Sequence, residues 1–144
     1  MLYPIYKSVK ARLDDQVAAI KDIQFFNNQE QGVIHTEPLA LIEFPDQLDI
    51  AAITKVTDRS LCVIRIRVIT RVVTDIDNTI PDVQVEAHEV ITAAVITALK
   101  HYTLLSAGAP LGSSLQHIGY RTVPDYKGWL VSWLTFTTRL TLSQ

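Results

Sequence analysis

The side chains best suited to metal binding or nucleophilic attack are four histidines and one cysteine, and their spacing favours neither chemistry. A helical metal site wants two ligands within one turn, and a structural zinc site wants paired cysteines. None of His35, His88, His101 and His117 lies within four residues of another, and Cys62 has no partner. The histidines therefore read as surface or interfacial groups. Cys62 falls on the apolar side of a strand, where burial raises a thiol pKa and leaves a small, inert hydrophobe. Asp14 and Asp15 sit on the polar side of a helix and read as a solvated pair rather than acid–base partners. No G-x-S-x-G elbow or G-x-G-x-x-G turn occurs, and GAPLGSS at 108–114 lacks the lysine and the spacing of a phosphate loop. These residues predict no enzyme, no metal ligand and no cofactor.

One pattern does place charge in register. In LCVIRIRVITRVVT, residues 61–74, alternation puts Cys62, Ile64, Ile66, Val68, Thr70 and Val72 on one side of a strand. Leu61, Val63, Arg65, Arg67, Ile69, Arg71 and Val73 take the other side. The first side is core. The second carries a basic stripe, Arg65, Arg67 and Arg71, suited to phosphate or to an acidic surface on a neighbour. The alternative is a solvated strand face, or arginines paired inside the fold. Val63, Ile69 and Val73 favour a neighbour, because an isolated subunit would leave them in water. In the closing segment 129–142, Trp129 and Trp133 share a side with Thr135 and Thr137, while Leu130, Leu134, Phe136, Leu140 and Leu142 form the other. Tryptophan and arginine on an otherwise polar face are what subunit interfaces favour. The expected interface is therefore Val63, Ile69, Val73, Trp129 and Trp133, with the arginine stripe facing phosphate or the acidic surface of an adjoining subunit.

The elements that position these residues follow from periodicity. Ile5, Val9, Leu13, Val17 and Ile20 recur at helical spacing and predict a helix over 3–20. A short strand at 22–26 and a polar break, NNQEQG, come next. PLALIEF, 38–44, reads as a strand opened by Pro38 and stopped by Pro45 and Asp46, and 48–57 leans to a strand. DIDNTIPD is a turn. A second helix is expected over 83–104, with Val90, Ile91, Ala94, Val95, Ala98, Leu99 and Tyr102 as its apolar stripe. A mobile loop of small residues, 106–114, leads to strands at 115–123 and 129–142, joined by PDYKG. The resulting fold class is α+β: a mostly antiparallel sheet with two helices packed on one face, in a single domain over 1–144.

Composition narrows the setting. The chain has 144 residues, 48 % hydrophobic and only 19 % charged, with a mean hydropathy of +0.18. Disorder is excluded, and the apolar surplus exceeds what a lone subunit readily hides, which favours self-association. A net charge of -2 and a pI near 6.0 provide no basic field to draw the chain onto nucleic acid or an anionic membrane. One cysteine, no glycosylation sequon, no leader-like apolar run and no bilayer-length segment predict a soluble chain of a reducing compartment.

The order of elements, the run P-x-x-x-I-E-F-P at 38–45 and the pattern D-Y-x-x-W-x-V-x-x-x-x-F from Asp125 to Phe136 resemble the tail terminator proteins of long-tailed bacteriophages and prophages. The resemblance spans nearly the whole chain. It implies a small α+β subunit that closes into a homo-oligomeric ring, typically a hexamer. Such a ring caps the tail tube, joins it to the head-completion proteins, and lets DNA pass with weak contact; in it Arg65, Arg67 and Arg71 would face the lumen or an adjoining subunit. It also implies a virion protein assembled in the bacterial cytoplasm, without catalytic residues. The competing reading is a dimeric module that binds a small ligand or a protein, with an apolar pocket between sheet and helices.

Overall fold

The computed structural model describes residues 2–27, 29, 36–45, 60–74, 76–125 and 128–140. Helix α1 (Leu2–Gln16) turns Ile5, Val9 and Leu13 inward. Strands β1 (Asp22–Phe25), β2 (Leu39–Glu43) and β3 (Ser60–Arg71) follow, then helix α2 (Asp82–Leu99). The chain continues through β4 (Leu105–Ser106), β5 (Ala109–Pro110), β6 (Gln116–Asp125) and β7 (Trp129–Leu140). Five strands form one sheet in the order β1-β2-β3-β7-β6. Only β1 and β2 run parallel; the other pairs are antiparallel.

The β-branched run of β3 pairs with β7 along its whole length, Ser60 opposite Leu140 and Arg71 opposite Trp129. The predicted alternation holds. Cys62, Ile64, Ile66, Val68 and Phe136 are buried beneath the helices, against Ile5, Val9, Leu13, Val95 and Leu99. Side-chain contacts, among them those of Gln84, Arg12 and Ser8, tie the helices down. Gln84 on α2 accepts from the Val73 amide at 2.7 Å and donates to its carbonyl at 2.9 Å, so it stands in for a strand partner at the end of β3. Arg12 on α1 donates to the Ala98 carbonyl at 2.9 Å and lies 4.3 Å from the Tyr102 ring centre, neutralising the negative end of α2. Ser8 accepts from the Leu105 amide at 3.0 Å.

Three expectations are corrected. Helix α1 stops at Gln16 rather than residue 20, and a tight turn closed by Ile20 N–H on Val17 C=O leads into β1. Helix α2 stops at Leu99 rather than 104, because Lys100 turns extended and His101 takes φ 66°. Tertiary hydrogen bonds hold that exit: His101 N–H to Leu115 C=O, and Leu115 N–H to Tyr102 C=O. The segment 106–114, read as a mobile loop, contains the β4–β5 hairpin, and Gly112 forms a bridge with Leu140. A Cβ at Gly112 would collide with the Arg139 carbonyl oxygen, so the close approach requires glycine. The expected strand at 48–57 lies outside the described residues.

Candidate functional site

Both described helices pack on one face of the sheet, and no described helix lies on the other. The opposite face is built by the odd-numbered residues of β2, β3 and β7, with Arg121 and Val123 of β6 beside them. At its centre lies a second, smaller core of Leu39, Leu41, Ile69 and Val131, flanked by Phe26, Val123, Trp129 and Trp133. Strand register explains it. Leu39 lies opposite Ile69, and Ile69 lies opposite Val131, so three adjacent strands offer an aliphatic side chain at one level. The tryptophans of β7 flank them.

Around this core the arginines stack. Trp133 has three guanidinium groups near its ring centre: Arg67 at 4.6 Å, Arg65 at 5.0 Å and Arg121 at 5.3 Å. Arg67 also lies 4.2 Å from the Phe26 ring, and Arg71 lies 5.7 Å from Trp129. An indole face attracts a cation at this range, worth about 0.5–1 kcal/mol where exposed and more where water is excluded. Glu43 completes the cluster with one oxygen 2.8 Å from Arg67 Nε and the other 3.3 Å from Arg65 Nη1. Its place is set by register, since Glu43 sits opposite Arg65. Two buried donors, Arg65 Nε and Trp133 Nε1, have no acceptor among the described residues.

The residues expected at an interface therefore divide. Arg65 and Arg67 are half-buried and paired to Glu43 inside the fold, one of the alternatives the strand pattern left open. Arg71 is exposed; its backbone N–H reaches Glu37 Oε2 at 3.1 Å while its guanidinium projects past Trp129. Val63, Trp129 and Trp133 are half-buried, and Val73 is 64 % exposed. Ile69 corrects an expectation: it is 0 % exposed, because Leu39, Leu41 and Val131 enclose it, and it needs no neighbour to leave water.

Reasoning from sequence missed a buried polar chain between α2 and the sheet. His88 is 1 % exposed and bonded at both ring nitrogens. Nδ1 lies 2.7 Å from Thr70 Oγ1, and Nε2 lies 2.6 Å from Ser132 Oγ, which in turn lies 2.6 Å from Thr122 Oγ1. Burial lowers the His88 pKa from its ordinary 6.5, with Glu89 acting in the opposite direction. A neutral imidazole follows, one nitrogen donating and the other accepting. The signal for this chain was present: His88 stands four residues before Thr92 and seven before Val95 on the inner side of α2, and Thr70 and Ser132 fall at core-facing strand positions.

The remaining candidates sit apart. Cys62 is buried and its thiol is pushed up to about 11 by desolvation, which suits a packing role. His117 stacks 5.1 Å from Phe136, His101 is exposed at the exit of α2, and His35 lies outside the described residues. Among the described residues no three His, Cys, Asp or Glu side chains gather as metal ligands. No described helix is long and apolar enough to cross a membrane. The space between helices and sheet is filled by Phe136, Ile64, Ile66 and Leu99, whereas a depression of about 320 Å³ lies outside it, between α1 and β1.

No family model matches the chain, and no curated protein matches it. Its fold is similar to that of a chain in a solved structure, the virion of the native gene transfer agent (GTA) particle. The two agree with a TM-score of 0.63 over 94 % of this chain and 93 % of that one, at 17 % identity. At that identity the likeness is one of fold.

Proposed function

We propose that this protein is a structural subunit of a virion, of the tail terminator kind. It closes into a homo-oligomeric ring, a hexamer, that caps the tail tube and meets the head-completion proteins. The observation that carries this reading is the fold likeness to a virion chain, which covers 94 % of this chain and 93 % of the other. The tail terminator motifs at 38–45 and 125–136 support the narrower role. So does the sheet face of tryptophan and arginine, whose make-up fits a surface buried on assembly. In this role the chain performs no catalysis and needs no cofactor, works in the virion, and is assembled in the bacterial cytoplasm. DNA passing the ring is contacted weakly, because phosphates held by many arginines would stall it.

The test is co-assembly. The purified chain is added to polymerising tail-tube protein from the same genome, and tubes are imaged by negative-stain electron microscopy. The reading expects a ring at one tube end and arrested growth. Tubes that lengthen unchanged and carry no bound chain refute it.

A further inference from the structure

The open sheet face and the outer side of α2 carry opposite charge. On the sheet, Arg71 and Arg121 are exposed, and neither guanidinium has an ion-pair partner among the described residues. Arg65 Nε and Trp133 Nε1 lie beneath them as donors without acceptors among the described residues. On the other side of the molecule, α2 holds Asp82, Glu86 and Glu89 and has no Lys or Arg between 82 and 99. Asp82 and Glu86 are exposed and have no ion-pair partner among the described residues. Val83 and Val90 are 70 % and 63 % exposed, and with Glu86 they stand at spacings of three and four, one stripe facing away from the core. Exposed valines flanked by acids make half of a contact.

We infer that the two surfaces are complementary halves of one interface: the Arg71–Arg121–Trp133 face of one copy seats on the Val83–Glu86–Val90 side of α2 in the next. This rests on the ring reading above and gives that ring its contact. The halves lie on opposite sides of a two-layer subunit, so every copy offers one to each neighbour. Contact of that kind is head-to-tail and propagates into a ring or a filament. Two sheet faces meeting each other would instead set arginine against arginine, which association disfavours.

Cross-linking tests the pairing on the full chain. Arg121→Cys and Val90→Cys are combined in one chain and treated with a short bis-maleimide, alone and on tail-tube polymer. Buried Cys62 stays unmodified, and because Tyr120 O–H donates to Glu89 beside the two sites, a bridge formed within one copy runs as a monomer and adds no step to a ladder. The inference expects a ladder of dimers, trimers and larger species on a denaturing gel. Glu86→Arg should reduce the ladder at least tenfold, and adding Arg71→Glu should restore it. Dimers as the end product of either single-cysteine variant overturn the inference, because a face would then be meeting itself. A missing ladder in both settings also overturns it, and so does a missing ladder with double-stranded DNA retained by the arginine face. The wild-type chain separates the two readings. Rings without a ladder remove this pairing and keep the ring; a ladder on open filaments keeps the pairing and removes the ring.

Discussion

Replacing Ser132 with alanine deletes one oxygen from a site with 0 % exposure. That oxygen lies 2.6 Å from both His88 Nε2 and Thr122 Oγ1. Thr122 is half-buried and can turn to water, so its loss is small. His88 cannot, and orphaning a buried polar group costs about 1–3 kcal/mol. A central value of about 2 kcal/mol lowers the Tm of a domain this long by about 6–8 °C. Urea unfolding at pH 7.5 measures the loss, with Thr135→Ala, half-buried on the other sheet face, as a control expected within about 0.5 kcal/mol of wild type. The double variant His88→Leu/Ser132→Ala sharpens the test. With the imidazole gone, Ser132→Ala should cost less than it does alone, since interacting groups are not additive. A Ser132→Ala loss under about 0.5 kcal/mol, or strict additivity in the double variant, refutes the claim that these hydroxyls hold His88.

The same histidine makes stability depend on pH. The unfolded chain takes up a proton near pH 6.5 while burial keeps folded His88 neutral, so stability present above pH 6.5 is lost as pH falls below it. Urea titrations from pH 7.5 to 5.5 should show that slope, and His88→Leu should remove its share. Gly112→Ala should cost about 1–3 kcal/mol by pushing the β4–β5 hairpin off the Arg139 carbonyl, read as a lower Tm at unchanged secondary structure by circular dichroism. Cys62 should resist a thiol reagent in the native protein and react fully in urea, since its thiol is buried and pushed up to about 11; rapid native labelling would contradict its placement.

Strand β3 was legible because apolar residues at 62, 64, 66 and 68 alternate with arginines at 65 and 67, and a one-residue slip would bury those arginines among the core side chains. The inward side of β7 was readable for the same reason. The end of α2 was not, because nothing local stops it: the sequence continues with Tyr102 and Leu104 at helical spacing, and the stop comes from hydrogen bonds to Leu115 across the fold. Burial of Ile69 was equally out of reach, since its enclosure needs Leu39, Leu41 and Val131 from the two flanking strands. The arginines show the boundary most clearly. Alternation placed Arg65, Arg67 and Arg71 on one face, but only the register of β2 brings Glu43 between two of them and leaves the third free of it.

The position of β7 bears on how the chain folds as it is made. It lies inside the sheet, between β3 and β6, yet it is the last strand of the order to be synthesised. Until it emerges, β3 has one long edge of unpaired amides and carbonyls, and β6 has no partner. The most extensive pairing in the molecule joins residues 60–71 to 129–140, a separation that slows folding because loop closure precedes the contacts that reward it. A partly made chain is therefore an aggregation risk with an exposed strand edge. Its arginine–tryptophan face is also unfinished, since Trp129, Val131 and Trp133 arrive only with that strand. On the ring reading proposed above, assembly competence would come with the strand that completes the sheet, and incomplete chains would be kept out of the ring by their own topology.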